Sequence, residues 1–155
     1  MNQKIQKYFT GLIAVVLFVA ATTKLAGAVL SSPMLDYRDP LLLLSNRNVL
    51  YASAGVEFVI SALLLMTGNE RRKLAVIAWL TIVYLLYRAC LWWAGEPFFW
   101  SYLGNLTDRL AVPPRLLNWS ILLVLGGIFA CAAVLWSLDW FKSKEEAVQQ
   151  ASRKT

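Results

Sequence analysis

Four long apolar stretches constrain the fold of this chain more than any other feature of its sequence. They occupy residues 8–30, 48–67, 74–94 and 117–138, and each is close to the roughly 20 residues that a helix needs to cross about 30 Å of hydrocarbon. The whole chain is 59% hydrophobic and only 15% charged, which is too apolar for an ordinary soluble domain. The stretches predict an all-α fold, a polytopic membrane four-helix bundle over residues 1–138, followed by a polar cytoplasmic tail over 139–155.

The distribution of Lys and Arg predicts how this bundle is oriented. Basic residues concentrate in the amino-terminal segment, in the short 68–73 connection and in the tail. The long loops hold only Arg38, Arg47, Arg109 and Arg115. Because cytoplasmic loops carry the excess of Lys and Arg, both termini are expected in the cytoplasm. The short 68–73 connection also predicts that the second and third helices are antiparallel neighbours.

The first apolar stretch has an alternative interpretation as a secretory signal. Lys4 and Lys7 precede it, and the segment Ala26-Gly27-Ala28 is an acceptable cleavage triplet. Lys24, just upstream of the triplet, argues against cleavage. An uncleaved first helix is therefore expected, and removal of residues 1–28 would leave the orientation of the other helices unchanged.

Several functional classes are excluded by missing residue types. The chain has no histidine, which excludes zinc sites of the His type, His-ligated haem and Ser-His or Cys-His catalytic pairs. It has no Gly-rich phosphate loop either. The net charge of +6 lies beside the apolar stretches, where it sets orientation or contacts anionic lipid, so no nucleic acid is expected as a partner. We predict no catalytic residues, no metal site and no intrinsic cofactor.

Three ionisable residues fall inside the predicted spans: Lys24, Glu57 and Arg88. Each costs several kcal/mol near the bilayer centre unless it is paired or hydrated. At about 1.5 Å of rise per residue, they lie roughly 9, 13 and 9 Å from the outer ends of their spans. All three side chains therefore reach one layer in the outer half of the bundle.

Two interpretations of this charged layer stay open. In the first, Tyr84 and Tyr87 add hydrogen bonds, and the surplus positive charge holds an anionic or polar ligand, such as a quinone carbonyl or a small oxyanion. In the second, Glu57 neutralises one cation while Lys24 or Arg88 reaches toward the headgroups, and the charges only orient the helices.

The cysteines and the loops carry further predictions. Cys90 and Cys131 differ in depth by roughly 15 Å, too far for a disulfide, and both are expected to be small buried hydrophobes. In the first outer loop, Asp39-Pro40 before four leucines predicts a short helix on the membrane surface. In the second outer loop, the aromatic cluster is either an interfacial belt or a lid or partner contact; its members are Phe98, Phe99, Trp100 and Tyr102.

Three segments resemble a known group of membrane proteins. They are the Phe18–Leu25 segment ending in Lys-Leu, the Gly55-Val56-Glu57 segment followed by residues 63–68, and the Leu103–Asp108 segment. Together they resemble the DoxX and MauE-like family, small four-helix bacterial proteins linked to sulfur, quinone or thiol-disulfide metabolism. Some related sequences carry Cys-x-Cys-Leu-Gly where this chain has Trp-Ser-Tyr-Leu-Gly at 100–104. With no cysteine there, that site has no sulfur for thiol exchange.

The resemblance implies an accessory or anchoring subunit of a membrane redox system that is linked to quinone or to sulfur and thiol chemistry. Its partners would be membrane lipids and a membrane or periplasmic redox protein that carries the flavin, metal or haem. One alternative is an oligomeric anion- or proton-coupled transporter, in which Arg88 and Lys24 attract an anion and Glu57 couples its movement to protons. The other is a purely structural membrane subunit.

Overall fold

The computed structural model describes residues 2–29, 33–95 and 114–152, and most residues in these ranges are helical. The described residues form four α-helices: α1 (Asn2–Val29), α2 (Asn46–Met66), α3 (Glu70–Trp93) and α4 (Pro114–Ser152). A short 3-10 helix, Pro33–Asp36, follows α1. In the described ranges, the β-structure is limited to an isolated bridge between Arg38 and Ser45. The all-α fold class is thereby confirmed.

Each of the four helices contains a segment long and apolar enough to cross a membrane. These segments are Lys4–Val29, Asn46–Met66, Glu70–Trp93 and Trp119–Leu138. The helix α4 continues past the last of them to Ser152. The structure therefore supports a multi-pass membrane protein.

Local side-chain chemistry explains where α2 and α3 begin and where α3 ends. Ser45 caps α2 by accepting a hydrogen bond from the backbone N of Asn48, and Asn69 caps α3 by accepting from the N atoms of Arg71 and Arg72. At the end of α3, Gly95 has a φ of +81° and donates to the carbonyl of Trp92. Glycine is favoured at such a left-handed position because it has no Cβ.

The helices pack unevenly. Contact is most extensive between α1 and α2 and between α3 and α4, whereas α2 and α3 touch at few residues. The second and third helices were expected to be neighbours, and the tight turn does join their ends, but their packing farther along is sparse because α2 buries its apolar face mainly against α1. The apolar core contains Ile13, Ala14, Ile60, Leu64, Leu74, Ile77, Ala78, Leu80 and Ala132.

The short helix predicted after Asp39-Pro40 is wrong. Residues 40–42 form a turn, and Leu43 has a left-handed φ of 57° that stops helical continuation. The cause is a closed loop: the Asp39 N donates to the Leu44 carbonyl, and the Leu43 N donates back to the Asp39 carbonyl. The chain therefore reverses direction where a helix would have advanced.

The predicted burial of both cysteines is also wrong, because Cys90 and Cys131 are free and exposed. On α3, Cys90 precedes the buried Leu91 and is rotated about 100° away from it around the helix. On α4, Ala132 is the only buried residue among the described side chains. Apolar character alone did not identify the helix face that packs inward.

We predict that Leu74→Ala destabilises the fold by about 2–5 kcal/mol, because the fully buried Leu74 side chain would leave a cavity in the core. The matched control is Leu86→Ala on the same helix, where the leucine is 60% exposed and truncation leaves no cavity. Unfolding of the detergent-solubilised protein with increasing dodecyl sulfate measures both changes. Equal losses in the two variants would contradict the packing described here.

Candidate functional site

The helices α1, α2 and α3 each bury one ionisable side chain in the same part of the bundle. Lys24, Glu57 and Arg88 are 3%, 2% and 8% exposed. Burial of charge this deep is costly unless each group is hydrogen-bonded or paired. The contacts of these three residues therefore decide what the site can do.

Lys24 and Glu57 form a buried salt bridge between α1 and α2, from Nζ to Oε1. A second link, from the Ser61 hydroxyl to the Ala14 carbonyl, shows that the two helices run in opposite directions. Side chains tilt toward the amino terminus of their own helix. Lys24 therefore leans back along α1 while Glu57 leans the opposite way, and the two charged groups meet between their backbones.

Tyr84 of α3 contacts both members of this pair. We call Lys24, Glu57 and Tyr84 the charge cluster. The Tyr84 hydroxyl donates to Glu57 Oε1 at 2.6 Å, and Lys24 Nζ lies 5.3 Å from the centroid of the Tyr84 ring, within the range of a cation–π contact. Three helices are thus connected through one carboxylate oxygen.

The second oxygen of Glu57 is in a different situation. Oε2 is buried and has no hydrogen-bond partner among the residues that the structure describes. A buried acceptor without a donor loses its hydration with no replacement, at a cost of roughly 1–3 kcal/mol or more for a charged group. Glu57 therefore retains an open hydrogen-bonding position inside the bundle.

Arg88 lies one helical turn beyond Tyr84 on α3 and is also buried. Residues four apart lie on the same face of a helix, so the Arg88 and Tyr84 side chains lie on the same inward-facing side of α3. This position places a second cation on the face of α3 that carries the charge cluster.

Tyr87, which was predicted to add a hydrogen bond to the charged layer, bonds Asp39 of the first loop. The Tyr87 hydroxyl donates to Asp39 Oδ2, while Asp39 Oδ1 accepts from the backbone N atoms of Leu41 and Leu42, both at 2.8 Å. Asp39 is only 1% exposed although it lies in a loop. We call Asp39 and Tyr87 the loop latch.

The sequence reasoning treated Asp39 only as a helix cap and did not connect it with α3. The position of Asp39 just before four consecutive leucines could have indicated its role, because a carboxylate buried among apolar residues needs several hydrogen-bond donors. Tyr87 was available as one of those donors.

A second polar cluster, also missed, lies near the turn between α2 and α3. Thr10 donates to Glu70 Oε2 at 3.1 Å, and Lys73 Nζ donates to Glu70 Oε1 at 3.0 Å. Gln6 is buried nearby on α1, one turn before Thr10. We call Gln6, Thr10, Glu70 and Lys73 the turn-side cluster. It escaped notice because Glu70 was assigned to a loop, whereas it is the first residue of α3.

Two other predictions bear on the site. The aromatic residues of the second outer loop, Phe98, Phe99, Trp100 and Tyr102, lie outside the described residues. Within the described ranges, no group of three or more Cys, Asp and Glu side chains is arranged to hold a metal ion.

No family model matches the chain, and neither the curated proteins nor the solved structures include a significant match. The site is therefore interpreted from its own geometry.

We predict that Lys24 and Glu57 are energetically coupled. Lys24→Met or Glu57→Gln alone leaves one buried charge without its partner and is expected to cost about 3–5 kcal/mol. The double variant buries neither charge and should be more stable than either single variant. A double-mutant cycle in dodecyl sulfate unfolding measures the coupling, and strictly additive losses would contradict a buried pair.

We predict that Tyr87→Phe loosens the first loop. Without the Tyr87 hydroxyl, the Asp39 carboxylate is less firmly positioned and its hydrogen bonds to the Leu41 and Leu42 backbone amides are weaker. Hydrogen exchange of these two amides should therefore accelerate about tenfold. Tyr84→Phe is the matched control, because it removes a hydroxyl one turn away that bonds Glu57. Unchanged loop exchange in Tyr87→Phe, or equal acceleration in both variants, would refute the loop latch.

Proposed function

We propose that this chain is a multi-pass protein of the bacterial inner membrane with both termini in the cytoplasm, and that it serves as an accessory or anchoring subunit of a membrane redox system. Three features support the proposal. The four apolar helices fit a bilayer, the basic residues follow the positive-inside distribution, and the sequence resembles the DoxX and MauE-like family. Large exposed apolar side chains on all four helices provide the surface that lipid would cover.

The observation that carries the proposal is the state of Glu57. Lys24 and Tyr84 hold one of its oxygens, while the other has no partner among the described residues. An ionisable residue inside a membrane span is by default a functional candidate. A buried polar group with one unbonded oxygen suits a lipid-soluble ligand of the quinone class, whose polar head can form hydrogen bonds below the membrane surface.

The redox centre itself is assigned to a partner. With no histidine in the chain, it has no residue for His-type haem or zinc ligation. A membrane or periplasmic protein with a flavin, metal or haem would perform the electron transfer. The role of this chain is then to anchor that protein and to offer a quinone or a related compound a polar site.

A second candidate is a small transporter for an anion, coupled to protons. The observation that favours it is the turn-side cluster, because a path across the bundle needs polar groups near both ends and Glu70 lies far from Glu57 along the helices. Four helices are few for a pore, so this function would require a homo-oligomer. A purely structural subunit is the third outcome that the following experiment distinguishes.

We predict that gentle extraction of the tagged protein from its native membrane retains a redox protein in fixed stoichiometry, together with a quinone. Native mass spectrometry identifies both, and Glu57→Gln is expected to keep the partner but lose most of the quinone. Glu70→Gln in the turn-side cluster is the matched control and should retain both.

Three results would contradict this proposal. A bare homo-oligomer without quinone, showing anion or proton flux in liposomes, would favour transport. A partner-free protein with neither flux nor ligand would favour the structural role. A mass measured under denaturing conditions that corresponds to a chain without residues 1–28 would show that Lys24 is cleaved off, and the site would then not exist.

A further inference from the structure

The open position at Glu57 has a definite chemical sense. A carboxylate oxygen only accepts hydrogen bonds, and Oε1 already accepts from Lys24 and Tyr84. Oε2, on a residue that is 2% exposed, accepts from none of the described residues. Among the described residues Oε2 therefore lacks a donor, and a ligand that bonds this oxygen must supply one.

This requirement differs from what the charges alone indicated. A surplus of cations favours acceptors, such as a quinone carbonyl or an oxyanion. A carbonyl oxygen brought against Oε2 would place two lone pairs face to face and leave the carboxylate oxygen unsatisfied. A hydroxyl placed there instead donates to a charged acceptor, which is the stronger class of hydrogen bond.

The packing of the helices indicates where such a ligand would arrive. Glu57 on α2 and Tyr84 on α3 meet at the seam between two helices that otherwise touch at few residues. Separating α2 from α3 disturbs less packing than separating α1 from α2. Of the helix pairs that carry the charge cluster, α2 and α3 have the sparsest contact. A ligand that enters between these two membrane-length helices would come from the hydrocarbon.

We infer that the charge cluster recognises a lipid-soluble ligand through a hydroxyl donor to Glu57 Oε2, and that it selects the hydroquinone form of a quinone-type compound over the oxidised form. This inference rests on the proposed ligand-binding role of the site and names the ligand's chemical class. It involves binding only and requires no electron transfer by this chain.

The test compares three compounds of nearly equal shape. The purified full-length protein is placed in lipid nanodiscs free of quinone and kept anaerobic. A decyl-substituted hydroquinone, the corresponding quinone and the dimethyl ether of the hydroquinone are titrated in turn by calorimetry. Because only the hydroquinone has hydroxyl donors, we expect its Kd to be at least about tenfold lower than those of the other two.

Variants assign the preference to Glu57. The double substitution Lys24→Met with Glu57→Leu removes the acceptor without leaving a buried charge, so the three compounds should bind it with similar Kd values. Glu70→Gln, in the turn-side cluster, should keep the full preference. Thermal unfolding checks that each variant is folded. If the double variant does not fold, Glu57→Gln serves in its place, because its amide donates as well as accepts and should lose most of the hydroquinone preference.

Equal Kd values for the three compounds, a lower Kd for the quinone, or a hydroquinone preference that survives removal of Glu57 would each overturn the inference. Failure of the proposed function gives a different pattern. Selective hydroquinone binding by a protein that extracts without any redox partner would refute the subunit role while supporting the ligand assignment. A stoichiometric partner without hydroquinone selectivity would do the reverse.

Discussion

The need to satisfy one buried carboxylate, that of Glu57, determines how three helices of this bundle are related. A carboxylate in an apolar interior is tolerated only with hydrogen-bond donors close by. Neither of the two donors described at Glu57 Oε1 belongs to α2 itself. The donors are Lys24 from α1 and Tyr84 from α3. A shift of either helix by one residue would withdraw a donor from Glu57, so the pairing fixes the register of α1 and α3 relative to α2. This effect on register holds even where the net stability of a buried ion pair is small.

The same region of α3 links the charge cluster to the first loop. Tyr84, Tyr87 and Arg88 fall within little more than one helical turn, and the two hydroxyls bond Glu57 and Asp39 respectively. A rotation of this turn would move both bonds together. The sparse contact between α2 and α3 offers little resistance to such a rotation, whereas the extensive contact between α3 and α4 opposes it. Ligand binding at Glu57 and the position of the 37–46 loop are therefore expected to be coupled through α3.

The sequence was sufficient to predict the four helices and to select Lys24, Glu57 and Arg88, because charges are rare in apolar spans and their depths can be calculated from helix rise alone. It was insufficient for Asp39, Thr10 and Glu70, whose partners are distant in the chain and whose roles depend on how loops and helix ends fold back. The cysteines illustrate another limit. Cys90 and Cys131 are apolar in character, but their exposure depends on helix rotation, which the evenly apolar surface of α4 does not reveal.

Charge counting and hydrogen-bond counting lead to opposite ligands for this site. In the sequence, the two cations Lys24 and Arg88 outnumber the one anion Glu57, which by itself suggests an acceptor ligand. Yet Lys24 is already engaged by Glu57 Oε1 and by the Tyr84 ring, whereas Glu57 Oε2 has no donor among the described residues. A hydrogen bond depends steeply on distance and direction, so a ligand in contact with Oε2 has to match that oxygen whatever the summed charge of the neighbouring groups. Under the proposed ligand-binding role, a compound that contacts Oε2 is therefore expected to donate a hydrogen bond.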